Sequence, residues 1–263
     1  MLCYATLFRP TWLSEMDKSC VKGWAYNLAQ LGIKKAIILA GGRGERLRSA
    51  VPNLPKPMAP VWGRPFLEYV LDGLVDAGVM DVILSVGYRA ETIQKHFGNT
   101  YRRVPLRYSI EENALGTGGA LVLALKAEDS SPVLILNGDT LVEVDYAALG
   151  TWYDSVESSL GVVLCRVPDV SRYGSVVLSG DRVVEFREKG KGGPGLVNAG
   201  MYVIRPTIFA HYQFEERFSF ETDFLQRYCS ELQPRSFVTD GYFIDIGTPE
   251  DYDRAQRELE PKV

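Results

Sequence analysis

The sequence predicts an α/β fold, with a mostly parallel sheet flanked by helices and a smaller, β-rich second part. Apolar runs without polar alternation, which are typical of strands covered on both faces, occur at 36–40, 81–86 and 132–136. Segments with helical periodicity separate these runs, which is the pattern of right-handed βαβ crossovers. After residue 145 the pattern changes to strands and a hairpin.

The individual elements follow from local pattern and from turn or capping residues. The first part is predicted to contain helices over 66–79, 91–97 and 121–126, a strand nearer the sheet edge over 106–110, and the three apolar strands. The second part is predicted to contain strands over 160–166, 197–203 and 242–246, a hairpin turning at 179–181, and helices over 222–229 and 249–258. Thr248 is the expected N-cap of the closing helix.

The predicted organisation is a first half over 33–145, a second half over 146–258, and a tail over 259–263. Residues 1–32 do not continue the pattern and lack the features of a secretory signal. They are interpreted as a non-native leader, with an appended arm packing on the domain as the alternative.

Composition excludes several partners. The net charge of −4 gives no electrostatic footprint for nucleic acid or an anionic membrane. No apolar run approaches the ~20 residues of a membrane span. The four cysteines are scattered without metal-ligand spacing, which favours a reduced, cytoplasmic chain.

The run at 36–40 opens into a glycine- and arginine-rich loop, GGRGER. Glycines let backbone N–H groups approach a ligand, and Arg46 adds fork-shaped donors suited to phosphate. We interpret this loop as a triphosphate cradle; a tight turn with solvated arginines is the alternative. Lys56 follows, between two prolines that are expected to bar a helix and to present the lysine to an anion on a stiff, extended arm.

Two aspartates follow or interrupt apolar strands. Asp139 follows the strand over 132–136, and Asp245 lies inside the run YFIDI. We predict that they hold Mg²⁺ at strand ends of one sheet, because Mg²⁺ is usually bound by one or two carboxylates together with phosphate oxygens. An Asx turn or helix cap is the alternative for Asp139.

Glu111, at the end of the strand over 106–110, is a candidate reader of a base. A carboxylate accepts from both N1–H and N2–H₂ of guanine, whereas uracil or thymine would present a carbonyl to it. A surface charge at a strand end is the alternative.

Eight motifs in order resemble those of the sugar-1-phosphate nucleotidylyltransferases: LAGGRGERL, LPKPM, LGTGG, NGD, YGSV, FREK, VNAGMY and DIGTPEDY. The segments PKPMAPVWGRPFLEYVL, LSVGY and LGTGGAL are similar to D-glycero-α-D-manno-heptose 1-phosphate guanylyltransferases, with mannose-1-phosphate guanylyltransferases as the nearest competitor. The resemblance implies a Rossmann-like fold of the nucleotide-diphospho-sugar transferase type. It also implies GTP and a sugar 1-phosphate as substrates, a homodimer, and a product used in capsule, lipopolysaccharide or glycoprotein glycan synthesis.

The resemblance also assigns roles to single residues. It implies that the nucleotide is bound by Leu39, Ala40, Gly41, Gly42, Gly44, Arg46, Lys56, Glu111, Gly116, Thr117 and Asp139. It implies that the sugar phosphate is bound by Gly174, Glu188, Lys189, Asn198, Glu221 and Thr222. The metal ligands would be Asp139 and Asp245, and the catalytic set would be Arg46, Lys56, Asp139 and Lys189.

Glu45 departs from the pattern, since many members have threonine there; we expect it to face outward or to matter little. Two other classes of protein remain as alternatives. A dinucleotide oxidoreductase fits poorly, because the loop is GGRGER and not G-x-G-x-x-G. A non-catalytic nucleotide-sugar sensor is disfavoured by the joint presence of Lys56, Asp139, Lys189 and Asp245.

Overall fold

The computed structural model describes residues 33–187 and 192–260. Its strands are β1 (Lys35–Leu39), β2 (Pro60–Val61), β3 (Arg64–Pro65), β4 (Asp81–Val86), β5 (Thr100–Tyr101), β6 (Val104–Ile110), β7 (Val133–Asn137), β8 (Thr140–Val142), β9 (Leu160–Val167), β10 (Val176–Ser179), β11 (Arg182–Phe186), β12 (Gly195–Ile204), β13 (Arg235–Thr239) and β14 (Phe243–Asp245). The α-helices are α1 (Phe66–Asp76), α2 (Ala90–Phe97), α3 (Gly116–Leu125), α4 (Tyr146–Ser155), α5 (Cys229–Leu232) and α6 (Pro249–Glu258). Single 3₁₀ turns cover Glu45–Leu47 and Lys56–Met58, a longer one covers Pro206–His211, and a π-helix covers Phe220–Gln226.

Ten strands form one sheet in the order β10-β11-β13-β9-β12-β7-β1-β4-β6-β5. β1 lies in the interior and pairs in parallel with β4 and β7, and β4 pairs in parallel with β6. Both faces of β1 are covered: Ala36 and Ile38 belong to the core beneath α1, and Ile37 belongs to the opposite core with Leu121 of α3. The predicted mostly parallel sheet flanked by helices is therefore confirmed, and the apolar run of β1 has the predicted physical cause.

The sheet continues into the second part with a change of direction. β12 is antiparallel to both β7 and β9, and β9 pairs in parallel with β13. The register of β12 against β9 shifts between Asn198 and Met201, which is a bulge. The predicted hairpin is present as β10 and β11.

Several expected elements have different bounds or partners. The helix predicted over 222–229 is a π-helix over Phe220–Gln226 followed by the short α5. The strand predicted over 242–246 does not join the large sheet, since β14 pairs only with β8 in a separate two-stranded sheet. The closing helix is confirmed, and the Thr248 side chain accepts a hydrogen bond from the backbone N–H of Asp251 as predicted.

None of the helices within 33–187 and 192–260 is both long and apolar enough to cross a bilayer.

Candidate functional site

A cavity of about 400 Å³ opens at the carboxyl ends of β1 and β7. In open α/β sheets, ligands bind at this edge. The cavity wall joins segments that are distant in sequence: Leu39, Ala40, Gly42, Arg43, Gly44, Glu45, Arg46, Lys56, Pro57, Asp139 and Gly247. The structure thus brings the glycine loop, the PKP segment and the NGD motif together around one space. Arg46 is exposed at its mouth. Glu45 is exposed, as expected, and it also belongs to the cavity wall.

The glycine loop is shaped by two close approaches. Gly44 has a left-handed backbone, with φ +59°, and a Cβ there would lie 2.9 Å from Cβ of Lys56. A Cβ on Gly41 would collide with Oε1 of Glu111. Larger residues at either position would displace a side chain of the site, so these glycines are required by packing as well as by any ligand.

Lys56 is buried, not held out on an extended arm. Pro55 is extended, as expected, but Lys56–Met58 forms a 3₁₀ turn that directs the lysine inward. Its Nζ donates to Asp139 Oδ2 at 2.5 Å and to Asp245 Oδ1 at 3.1 Å. The expectation that flanking prolines bar helical structure here was wrong, because a proline is tolerated in the first turn of a helix.

The electrostatics of this trio reflect burial and charge together. Burial by itself would lower the pKa of Lys56, but the attraction of Asp139 and then of Asp245 outweighs burial and raises it. Burial raises the pKa of Asp245, the negative charge of Asp139 raises it further, and Lys56 offsets part of that rise. The lysine is therefore held in its charged form by two carboxylates that would otherwise repel each other.

The two-stranded sheet of β8 and β14 brings the two aspartates close together. Asp139 lies between β7 and β8, and its backbone carbonyl accepts from the N–H of Ile246 at 3.0 Å. Thr140, the first residue of β8, pairs with Asp245 of β14. The expectation that both carboxylates stand at strand ends of one sheet is wrong, since Asp245 belongs to a second, two-stranded sheet folded against the carboxyl edge of the first.

The donor set of this pair fits a magnesium ion that is shared with a substrate. Both carboxylates lie within 3.1 Å of one nitrogen atom, so their oxygens converge on a common point. Within the described residues, no group of three or more His, Cys, Asp or Glu side chains could form an all-protein metal cage. Two carboxylates completed by phosphate oxygens are the arrangement that Mg²⁺ usually takes in proteins.

Glu111 lies on the other side of the glycine loop. Its backbone N–H donates to Val86 O at 2.9 Å, and its Oε2 accepts from the backbone N–H of Leu115 at 2.9 Å. Gly41 and Gly87 provide the space beside its Oε1. Burial raises the pKa of this carboxyl, and the hydrogen bond from Leu115 offsets the rise only in part.

The turn LGTGG packs against a segment of the second part. Gly116 has φ +70°, and a Cβ on it would collide with the backbone carbonyl of Phe218. Gly118 donates its backbone N–H to that same carbonyl at 3.0 Å. The Thr117 hydroxyl donates to Glu221 Oε2 at 2.6 Å and accepts from the backbone N–H of Phe220 at 2.9 Å. The glycines of this turn therefore permit close contact with residues 218–221.

The residues expected on the sugar side lie outside the wall of the cavity. Asn198 donates from Nδ2 to the buried Tyr202 hydroxyl at 2.8 Å, and Gly174 has φ +70° before β10. Thr222 is exposed and donates its backbone N–H to Ser219 Oγ at 3.1 Å. Neither these residues nor Glu221 contributes to the wall of the 400 Å³ cavity. Glu188 and Lys189 lie outside the described residues.

Four wall residues were not among the candidate site residues from sequence, namely Arg43, Glu45, Pro57 and Gly247. Gly247 lies next to the lysine, and a Cβ on it would lie 3.2 Å from Lys56 Nζ. Arg43 adds a further cation to the loop side of the cavity. The signal for Gly247 was present in the sequence, because this glycine directly follows the strand predicted over 242–246.

Fold and site together define an α/β protein with a glycine-rich, basic cleft over a pair of carboxylates at the carboxyl edge of its sheet. The chain matches the nucleotidyl transferase family over residues 35–262. It therefore belongs to the nucleotidyl transferase family, as the ordered motifs predict.

Three proteins of this family are similar to the chain over most of its length. The chain is 44% identical over 226 residues to D-glycero-alpha-D-manno-heptose 1-phosphate guanylyltransferase of Aneurinibacillus thermoaerophilus, covering 86% of this chain and 98% of the relative. It is 33% identical to mannose-1-phosphate guanyltransferase of Aspergillus fumigatus, over 83% of this chain but 62% of that enzyme. The crystal structure of HddC from Yersinia pseudotuberculosis complexed with GMP-PN matches with a TM-score of 0.77 and 38% identity, covering 87% of this chain and 100% of HddC.

Proposed function

We propose that this protein is a guanylyltransferase that joins D-glycero-α-D-manno-heptose 1-phosphate to GTP, giving GDP-heptose and pyrophosphate. Lys56, Asp139 and Asp245 carry the proposal, because they place a lysine and two carboxylates at the base of a glycine loop. The relative at 44% identity supports heptose as the sugar, and the GMP-PN complex of HddC supports a guanine nucleotide.

The reaction needs no protein nucleophile. An oxygen of the sugar 1-phosphate attacks the α-phosphorus of GTP in line, the new P–O bond forms, and the bond to the β-phosphate oxygen breaks with departure of pyrophosphate. Arg46 and Lys56 offset the charge that develops on the leaving pyrophosphate. Positioning and charge neutralisation therefore supply the catalysis.

We further propose that Asp139 and Asp245 hold Mg²⁺, which supplies charge neutralisation between the two reacting phosphates when bound. Lys56 contacts both carboxylates and lines the same cavity, so it is placed to exchange a carboxylate oxygen for a phosphate oxygen when a nucleotide enters.

Base and sugar are assigned to two different sets of residues. Glu111 accepts from N1–H and N2–H₂ of guanine, and Leu39, Ala40, Gly41 and Gly42 lie against the base. On the sugar side we propose Gly174, Asn198, Glu221 and Thr222, together with Glu188 and Lys189 by likeness to the family. The halves 33–145 and 146–258 thus bind the nucleotide and the sugar phosphate, respectively.

Likeness to the family also supports proposals on the oligomeric state and on the cellular location. The enzyme would act as a homodimer, and it would act in the cytoplasm, where Cys165 and Cys229, both buried and free, stay reduced.

A matrix of four nucleoside triphosphates against heptose, mannose and glucose 1-phosphates tests the function, with pyrophosphate release as the readout. We expect GTP with heptose 1-phosphate to give the highest kcat/KM. A preference for mannose 1-phosphate would mean that mannose, and not heptose, is the sugar that the enzyme transfers. A preference for UTP or dTTP would contradict the role of Glu111. Tight GTP binding without release from any sugar would indicate a sensor instead of an enzyme.

A further inference from the structure

The Thr117 hydroxyl both donates and accepts a hydrogen bond inside the protein. A threonine hydroxyl has a single proton to donate, and here that proton goes to Glu221 Oε2 at 2.6 Å. The same oxygen accepts from the backbone N–H of Phe220 at 2.9 Å. Thr117 could donate to a nucleotide only by giving up the carboxylate.

The backbone around this contact is also hydrogen-bonded. Leu115 O accepts from the N–H of Phe218 at 3.0 Å, and Phe218 O accepts from the N–H of Gly118 at 3.0 Å. Leu115 in turn donates its own N–H to the Glu111 carboxylate. A continuous hydrogen-bonded path therefore joins Glu111, on the base side, to residues 218–221.

One carboxylate oxygen of Glu221 remains available to accept a hydrogen bond. Its Oε2 accepts from Thr117 and, at 3.2 Å, from Ser219 Oγ. Its Oε1 has no hydrogen-bond partner within residues 33–187 and 192–260, and the side chain is only half-buried. The side chains of Asn198 and Tyr202 are hydrogen-bonded to each other. A carboxylate with one oxygen fixed and one free is suited to accept a sugar hydroxyl.

We infer that Thr117 is a positioning residue that orients Glu221 toward the sugar, and that it is not a nucleotide contact. This inference rests on the proposed function, because it needs a sugar 1-phosphate as the second substrate. It also links the turn that follows Glu111 to the sugar side, so that one hydroxyl connects the two halves of the site.

Thr117→Val removes the hydroxyl at nearly constant volume, and Thr117→Ser is the matched control that keeps it. We expect Thr117→Val to raise KM for the sugar 1-phosphate about tenfold, as for loss of a hydrogen bond to a charged group, while KM for GTP stays within about twofold. Thr117→Ser should retain wild-type values for both substrates. A rise in KM for GTP equal to or larger than that for the sugar phosphate would overturn the inference.

Glu221→Gln provides the second test. If Thr117 acts through Glu221, adding Thr117→Val to Glu221→Gln should raise KM for the sugar phosphate no further, whereas independent effects would multiply and contradict the inference. Should Thr117→Val fail to fold, Thr117→Ala replaces it in the same comparison. The sugar 1-phosphate used is whichever the wild-type enzyme turns over. A wild type inert with every sugar 1-phosphate refutes the proposed function, and this inference with it, whereas an active wild type with an unchanged Thr117→Val refutes this inference alone.

Discussion

The two acidic sites beside the glycine loop are built in opposite ways. Asp139 and Asp245 converge on a buried lysine that holds both carboxylates. Glu111 is half-buried and receives one backbone N–H, and no positively charged side chain among the described residues contributes to the shift of its pKa. One acidic site is therefore paired with a cation, whereas the pKa of the other reflects burial and a backbone hydrogen bond.

This contrast separates what each side can recognise. A carboxylate pair with a cation between them is suited to charged groups, namely phosphates and a divalent ion. A carboxylate without a cation is suited to neutral donors, because each N–H it accepts replaces water that burial has removed. Charge chemistry and base recognition therefore need not interfere, although only a short loop divides them.

Removing one member of the paired site should give the largest effect. We expect Asp139→Asn to lower kcat at least ~100-fold, by analogy with the loss of one preorganised charge stabiliser. Pyrophosphate release measures it. Asp240→Asn, at a carboxylate that is 78% exposed in an ion pair with Arg166, is the control and should leave kcat unchanged. Near-normal turnover in Asp139→Asn would remove Asp139 from the metal site.

The unpaired site should respond in selectivity more than in turnover. Glu111→Gln replaces one acceptor oxygen by a donor, which meets the donors of guanine unfavourably. We expect the preference for GTP over other triphosphates to fall about tenfold or more, in line with ~1–3 kcal/mol for a bidentate contact to a base. Competition among the four triphosphates measures this preference. The exposed neighbour provides the control variant Glu112→Gln, and an equal loss of preference in both variants would contradict the assignment.

The smallest effect is a pH dependence confined to the unpaired site. Burial raises the pKa of Glu111, so the folded protein binds an extra proton between the ordinary and the raised value, and stability from this group falls as pH rises through that window. Guanine donors favour the carboxylate, so we expect KM for GTP to rise as pH falls through the same window. Glu111→Gln should lack this component, and superimposable KM profiles for variant and wild type would contradict it.

The sequence pattern predicted the parallel part well, because strands covered on both faces are continuous apolar runs and because α1 and α2 carry a strong 3.6-residue period. It failed where a partner is distant. Lys56 meets carboxylates 83 and 189 residues away, and nothing in the PKP segment indicates that its lysine turns inward. The π-helix over Phe220–Gln226 and the pairing of β14 with β8 likewise depend on tertiary packing, and local propensity does not encode them.

The position of β1 in the sheet has a consequence for how the chain acquires its cleft during synthesis. The glycine loop is made early, but one edge of β1 pairs with β7. That edge therefore stays unpaired until the ribosome has passed residue 137. Asp245 emerges later still, 189 residues after the lysine that it holds. A nascent chain that has reached residue 240 thus contains the glycine loop and Lys56 with only one of its two carboxylates. Assembly of the site is therefore a late event of folding, completed when β14 docks on β8.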